Sequence, residues 1–153
     1  MMRDFRRGFT LIELLIVITV IAILAAITVT NGHKHIMLAH EQAAIEEIRT
    51  LHKAEAQYYA QFTGYARSLA QLGPPESGSD GPGAANLIPR SLADGHASGY
   101  IFSLAGTTEG YAITALPETY KGTGSRAFYS DQSMTIHQNY SSEPATAASP
   151  ELR

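Results

Sequence analysis

Between Phe9 and Val29 the chain reads FTLIELLIVITVIAILAAITV, an apolar run of helix length that carries one charged side chain, Glu13. From Leu14 to Val29 there is no charge, no Gly and no Pro. With Phe9 to Glu13 added, the stretch reaches the roughly 20 residues that span a bilayer. A carboxylate at membrane depth costs about 2.5–3.5 kcal/mol on insertion scales, so its presence points to function. It calls for a cationic partner, and the run itself supplies none. Arg3, Arg6 and Arg7 precede the run against a single Asp4. That bias leaves the N-terminus in the cytoplasm and sends the remainder across.

Three readings of the segment compete. One is a secretory signal peptide with a small-residue site near Leu24-Ala25-Ala26. Another is an uncleaved signal anchor. In the third, the chain is cut before the run, between Gly8 and Phe9, and the run is kept. Glu13 argues against the first two, because a charge in the apolar region weakens insertion and gives nothing back.

GFTLIELLIVITVIAILAAI resembles the N-terminal cleavage and methylation motif of type IV prepilins and type II secretion pseudopilins. The resemblance implies that a prepilin peptidase cuts between Gly8 and Phe9 and that the new α-amine of Phe9 is methylated. It also implies that Glu13 meets the Phe9 amine of a neighbouring subunit, the missing cation supplied in trans. A buried carboxylate is tolerable when paired, and breaking such a pair costs several kcal/mol. Leu14, Leu15, Ile16, Val17, Ile18, Val20, Ile21, Ile23, Leu24 and Ile27 would then line the membrane and later the filament core. The chain departs from the family at two positions, Ala22 for a frequent Gly and Thr30 for a frequent Pro. Ala is the best helix former and Thr keeps its backbone N–H, so both favour an unbroken helix.

From Met37 to Phe62 the apolar residues recur with helical period. Met37, Leu38, Ala44, Ile45, Ile48, Leu51, Tyr58, Tyr59 and Phe62 are expected on one face. Gln42, Glu46, Arg49, Thr50, Lys53 and Gln57 are expected on the other. If the two helical stretches are continuous, Phe9 to Phe62 makes a rod of about 80 Å. No domain of this size buries such a rod whole, so its N-terminal half must lie in lipid or against other copies. Gly64 is the expected helix stop. Glu41, His52 and Glu55 intrude on the apolar face, either at its margin and solvated or hydrogen-bonded to the sheet, or pairing between subunits, with Glu55 the best candidate.

GPPESGSDGPG, from Gly73 to Gly83, is a turn-rich loop, and Ala84 to Asp94 is expected to form a short helix, with Pro89 either in its first turn or breaking it and Gly95 as its stop. Period-2 segments follow at Tyr100 to Leu104, Tyr111 to Ala115, Arg126 to Tyr129 and Met134 to His137, the last two joined through Asp131-Gln132-Ser133. A helix followed by a small antiparallel sheet is an α+β arrangement in which the sheet buries its inner face on the helix. Tyr111, Ile113, Phe128 and Ile136 are expected in that core. The layout, with AEAQYYAQFTGYARSLAQLG and GTGSRAFYSDQSMTIH, resembles the pilin fold without a disulfide-closed loop. The expected divisions are a leader 1–8, a transmembrane and filament-core helix 9–30, an amphipathic helix 31–63, a head domain 64–140 and a disordered tail 141–153.

The remaining composition excludes several chemistries. There is no Cys, hence no disulfide framework, and 11 basic against 14 acidic residues give a net charge of −3. No nucleic-acid partner is expected from that balance. His33, His35 and His40 are spaced by two and five and do not share a helical face, so they are read as solvated rather than metal-binding. Asp131 is the only carboxylate between Lys121 and Tyr140, too few for a calcium loop of the kind that major pseudopilins carry. No GxSxG elbow or Walker loop occurs. No cofactor, metal or catalytic residue is expected.

Function is therefore expected to be structural. The resemblance implies a subunit that polymerises with copies of itself into a helical filament, after residence in the inner membrane, processing by prepilin peptidase and handling by an assembly platform. A type IV pilus is favoured over a type II secretion pseudopilus by the missing calcium loop. A minor or competence pilin acting as an adhesin or DNA-binding module is the alternative from another class, and an N-terminally tethered enzyme comes third.

Overall fold

The computed structural model describes the backbone of residues 9–29 and 32–152, with side chains described except for residues 26–29. Two compact units result, residues 1–35 and 36–153.

In the first unit, α1 (Leu11–Val29) is apolar on every face. Its backbone stays helical from Ala22 to Val29, where Ala22 favours continuation, and Thr30 lies outside the described residues, with Asn31. The junction that would join one long rod is thus not among the described residues. Among the described residues no helix is long and apolar enough to cross a membrane. The 19 residues of α1 span about 28 Å, just short of a hydrocarbon core of about 30 Å.

Helix α2 (Gly32–Phe62) enters the second unit and presents Glu41, Ala44, Ile45, Ile48, Leu51, His52, Ala54, Glu55 and Tyr58 as its buried stripe. Their spacing of three and four residues is the helical period. Two residues expected on this face are exposed, Leu38 at 52% and Tyr59 at 47%, and Met37 and Phe62 are only partly buried. The helix ends at Phe62, but Gly64 is not the left-handed residue. Thr63 takes φ +56°, with its N–H donating to the Tyr59 carbonyl at 2.8 Å.

Two short helices, α3 (Leu69–Leu72) and α4 (Arg90–Ala93), flank the turn-rich loop. The helix expected over Ala84–Asp94 is confined to its last third for a backbone reason. The N–H groups of Ala85, Asn86, Leu87 and Ile88 donate to carbonyls of Gln71, Gly73 and Leu72, so they are not free for a helix. Helix formation begins only after Pro89, the N-cap.

The sheet is an antiparallel meander of β1 (His96–Ala97), β2 (Tyr100–Gly106), β3 (Tyr111–Pro117), β4 (Ala127–Asp131) and β5 (Ile136–Asn139), in that spatial order. A two-residue turn joins β1 to β2, with Ser98 and Gly99 both at positive φ, as a turn matching strand twist requires. Asp131 organises the β4–β5 turn by accepting from the Ser133 N–H at 2.9 Å. Alternate residues face α2: Tyr100, Phe102 and Leu104 from β2, Tyr111, Ile113 and Ala115 from β3, Phe128 and Ser130 from β4, Ile136 from β5. All four expected sheet contributors lie in this core, and the architecture is α+β.

The tail is not disordered, contrary to its composition. Pro150 accepts from the Gln138 N–H at 2.8 Å and Leu152 donates to the Ile136 carbonyl at 2.7 Å. Ser149 offers its carbonyl to His137 Nδ1 at 2.7 Å, and Ala145 is buried. The tail thereby covers the open edge of β5, satisfying backbone groups that composition cannot reveal. Removing residues 149–153 is expected to cost about 2 kcal/mol, seen as a lower denaturation midpoint, whereas a free tail would leave that midpoint unchanged.

Candidate functional site

The N-terminal site is built by Thr10. Its hydroxyl accepts from the Glu13 N–H at 3.3 Å, while Glu13 Oε2 accepts from the Thr10 N–H and the Thr10 hydroxyl, both at 2.9 Å. This is a reciprocal capping box on α1, T-x-x-E read as Thr10-Leu11-Ile12-Glu13. The carboxylate is thus fixed at the N-terminal end of the helix, where a negative charge is favoured. The T-x-x-E spacing of Thr10 and Glu13 carries the signal for this pairing, with a neutral donor rather than a cation. Phe9 precedes the cap and is 82% exposed. Gly8 lies outside the described residues, with the leader.

Along α1, Leu14, Leu15, Ile16, Val17, Ile18, Val20, Ile21, Ile23 and Leu24 are between 46% and 60% exposed. Ile27 belongs to the helix backbone, and its side chain is not among those described. The Thr19 hydroxyl folds back on its own helix, donating to the Leu15 carbonyl at 2.7 Å. The result is an apolar cylinder with one polar end.

The head contains three buried polar groups on α2, each tied to a different element. Glu41 accepts at Oε1 from the Ser125 N–H (2.8 Å) and hydroxyl (2.7 Å), and at Oε2 from Arg126 (2.8 Å). Burial pushes its carboxyl up, yet the Ser125 donors and Arg126 outweigh burial and hold it below the usual range. Arg126 also donates to Gln138 Oε1 at 2.9 Å and lies over the Phe128 ring.

His52 is 5% exposed, with Nδ1 2.7 Å from the Tyr111 hydroxyl and Nε2 2.8 Å from Ser130 Oγ. Ser130 donates its proton to the Thr135 carbonyl at 2.8 Å. It must therefore accept from His52 Nε2–H, which leaves Nδ1 to accept from Tyr111. Burial holds His52 below its ordinary pKa, opposed by the charge of Asp131, in keeping with this neutral form. The third group, Glu55, has no exposed surface and accepts at Oε2 from the Ala66 N–H at 3.0 Å. Its carboxyl is therefore internal, which removes it as an inter-subunit pairing group. Glu41 and His52 are internal as well and hydrogen-bonded rather than solvated, His52 to the sheet through Tyr111 and Ser130 and Glu41 to the segment before β4.

The Ser130–His52 contact has the spacing of a nucleophile and its base, but Ser130 is fully buried and its proton is committed to a carbonyl. No substrate reaches it in this arrangement. Beside it a groove of about 490 Å³ is lined by Arg49, His52, Lys53, Ala56, Ile136 and Leu152 among others. Of the histidines read as solvated, His33 and His35 are exposed, whereas His40 Nδ1 lies 3.1 Å from the Thr123 carbonyl. Among the described residues no group of three or more His, Cys, Asp or Glu could hold a metal ion.

Two arginines separate the buried pair from a surface pair. Arg126→Ala would strand the Glu41 charge and is expected to cost about 3–5 kcal/mol in urea unfolding. Arg49 meets Glu46 at 2.6 Å, but both are more than half exposed. Arg49→Ala is expected to cost no more than about 0.5 kcal/mol. Equal costs would contradict this assignment.

Residues 3–29 match the family described as the prokaryotic N-terminal methylation motif. The "Type IV major pilin protein PilA" of Myxococcus xanthus is 35% identical over 74 residues, 48% of this chain and 34% of that protein. The matched region thus covers about a third of the relative's length. No solved structure matches. The N-terminal segment with its capped apolar helix thus carries the prokaryotic N-terminal methylation motif, and the chain is similar over about half its length to a type IV major pilin.

Proposed function

We propose that this chain is the structural subunit of a type IV pilus-like filament, held together by α1. The observation that carries the reading is the apolar cylinder: from Leu14 to Leu24 its large side chains are about half exposed on every face, so lipid or other copies must cover them. Phe9 and Thr10 extend the apolar segment to about 31 Å if helical, enough to sit across the inner membrane before assembly. A prepilin peptidase cuts between Gly8 and Phe9, and the new amine is methylated. An inner-membrane assembly platform then draws the subunit into a periplasm-spanning or extracellular filament.

Within the filament Glu13 takes its neutral donors from Thr10 and its positive charge from the Phe9 amine of a neighbouring copy. Thr10 supplies hydrogen bonds to the carboxylate without neutralising it, so in an apolar core the pairing in trans remains favourable. A pilus is preferred to a secretion pseudopilus because the Lys121–Tyr140 region offers only Asp131, and that side chain holds the β4–β5 turn. The similarity to a major pilin points the same way. The role is structural rather than catalytic.

Intact-mass analysis of protein sheared from the cell surface is expected to show a chain beginning at a methylated Phe9. Glu13→Ala is expected to be cleaved normally but to lower filament yield more than about tenfold, because the assembled core loses a buried pair. Protein found only in the inner membrane with its leader intact, or normal filament yield from the variant, would contradict the proposal.

A further inference from the structure

Glu55 is the one buried side-chain polar atom set left incomplete among the described residues. Oε2 accepts from the Ala66 N–H, but Oε1 is enclosed without a hydrogen-bond partner. An ionised carboxylate so placed is costly, because burial penalises charge and only one donor compensates it. Burial accordingly pushes its pKa up to about 7, with the Ala66 N–H opposing.

Among the described residues no cation forms an ion pair with it. On its own helix the nearby titratable groups are His52, held neutral by Tyr111 and Ser130, and Tyr58, whose hydroxyl donates to the Pro82 carbonyl at 2.6 Å. From β3 comes Tyr111, and from the segment after α2 come Tyr65 and Arg67. Burial, and after it the charge of Glu55, raises both Tyr58 and Tyr111, while Arg67 opposes the rise at Tyr58. Asp131 on β4 acts on His52 and Tyr111, not on Glu55.

The Ala66 contact fastens a segment whose ties include the buried Ala66 itself and the Arg67 N–H donating to Gln71 Oε1 at 2.6 Å. Thr63 opens it in the left-handed region, and the Tyr65 ring packs between Tyr59 (4.9 Å) and Tyr111 (5.0 Å). Arg67 accepts from the Gly106 N–H at 3.4 Å, a long bond at the end of β2. Gly106 lies so close to the Ala66 carbonyl that a side chain there would collide with it. Of these ties, the Glu55 carboxyl is the one that changes charge near neutrality.

We propose that Glu55 and Ala66 form a proton-controlled clasp: protonated, Glu55 holds residues 63–68 against α2 and the end of β2, and on ionisation it draws water to Oε1 and the segment loosens. The sign follows from linkage. The unfastened carboxyl loses its proton near its ordinary value of 4.5, the fastened one near 7, so the closed form binds more protons in between. Closure therefore weakens as pH rises through that window. His52 works in the opposite sense: its depressed pKa makes the neutral, bonded ring a source of stability above about pH 6.5 that is lost on acidification. A variant is needed to separate the two. The inference is independent of whether the chain forms filaments.

The test is hydrogen exchange by mass spectrometry on the full chain in lipid nanodiscs, with protection of residues 63–68 corrected for intrinsic exchange. Between pH 5.5 and 8.5 protection in the wild type is expected to fall at least about tenfold. Glu55→Gln should hold it within about twofold, and Glu55→Met gives the same readout should the amide variant fail to fold. Unchanged wild-type protection, or an equal fall in wild type and variant, would overturn the clasp.

Discussion

The burial that α1 does not find within its own unit governs the rest of the molecule. Covering a leucine or isoleucine side chain is worth about 1.5–3 kcal/mol, and α1 presents Leu14 through Leu24 half exposed. On the proposed reading lipid or other copies cover that surface, and the head must then fold without α1. The head does so, since every residue of its buried cluster lies between Ala44 and Ile136, with Leu152 packed at its edge.

Polar groups inside the head give the α2–sheet packing its particular register. Glu41 reaches the segment before β4, His52 reaches β3 and β4, and Glu55 reaches the chain just after α2. Sliding the helix by one turn would break all three at once, and each stranded group would carry a desolvation cost of about 1–3 kcal/mol or more. Apolar contacts alone would tolerate such a slide better. On α1, Thr10 likewise orients the Glu13 carboxylate without neutralising its charge.

The apolar run, the α2 period and the four principal strands were legible because each repeats a physical pattern along the sequence. Glu13 was legible as costly, and Thr10 could have been found as its cap. The tail was not legible: Ser, Ala and Pro suggest disorder, yet backbone groups of residues 149–152 pair with β5, and backbone pairing leaves no compositional trace. The roles of Glu41, His52 and Glu55 depend on partners 11 to 85 residues away, at Ala66, Tyr111, Ser125, Arg126 and Ser130. Their positions on the apolar face announced something unusual, but only the fold supplied the donors. Ser130 shows why, since it is a polar residue on the inner face of β4 whose meaning appears only once His52 stands opposite.

The chain has no native cysteine, so single thiols report exposure cleanly. The most direct measurement is maleimide labelling of intact filaments that carry either Leu15→Cys on α1 or Ser103→Cys on the outward face of β2. If α1 forms the filament core, Leu15→Cys resists labelling until the filaments are dissociated, while Ser103→Cys reacts at once. Prompt labelling of Leu15→Cys in intact filaments would contradict the assignment of α1 to the core.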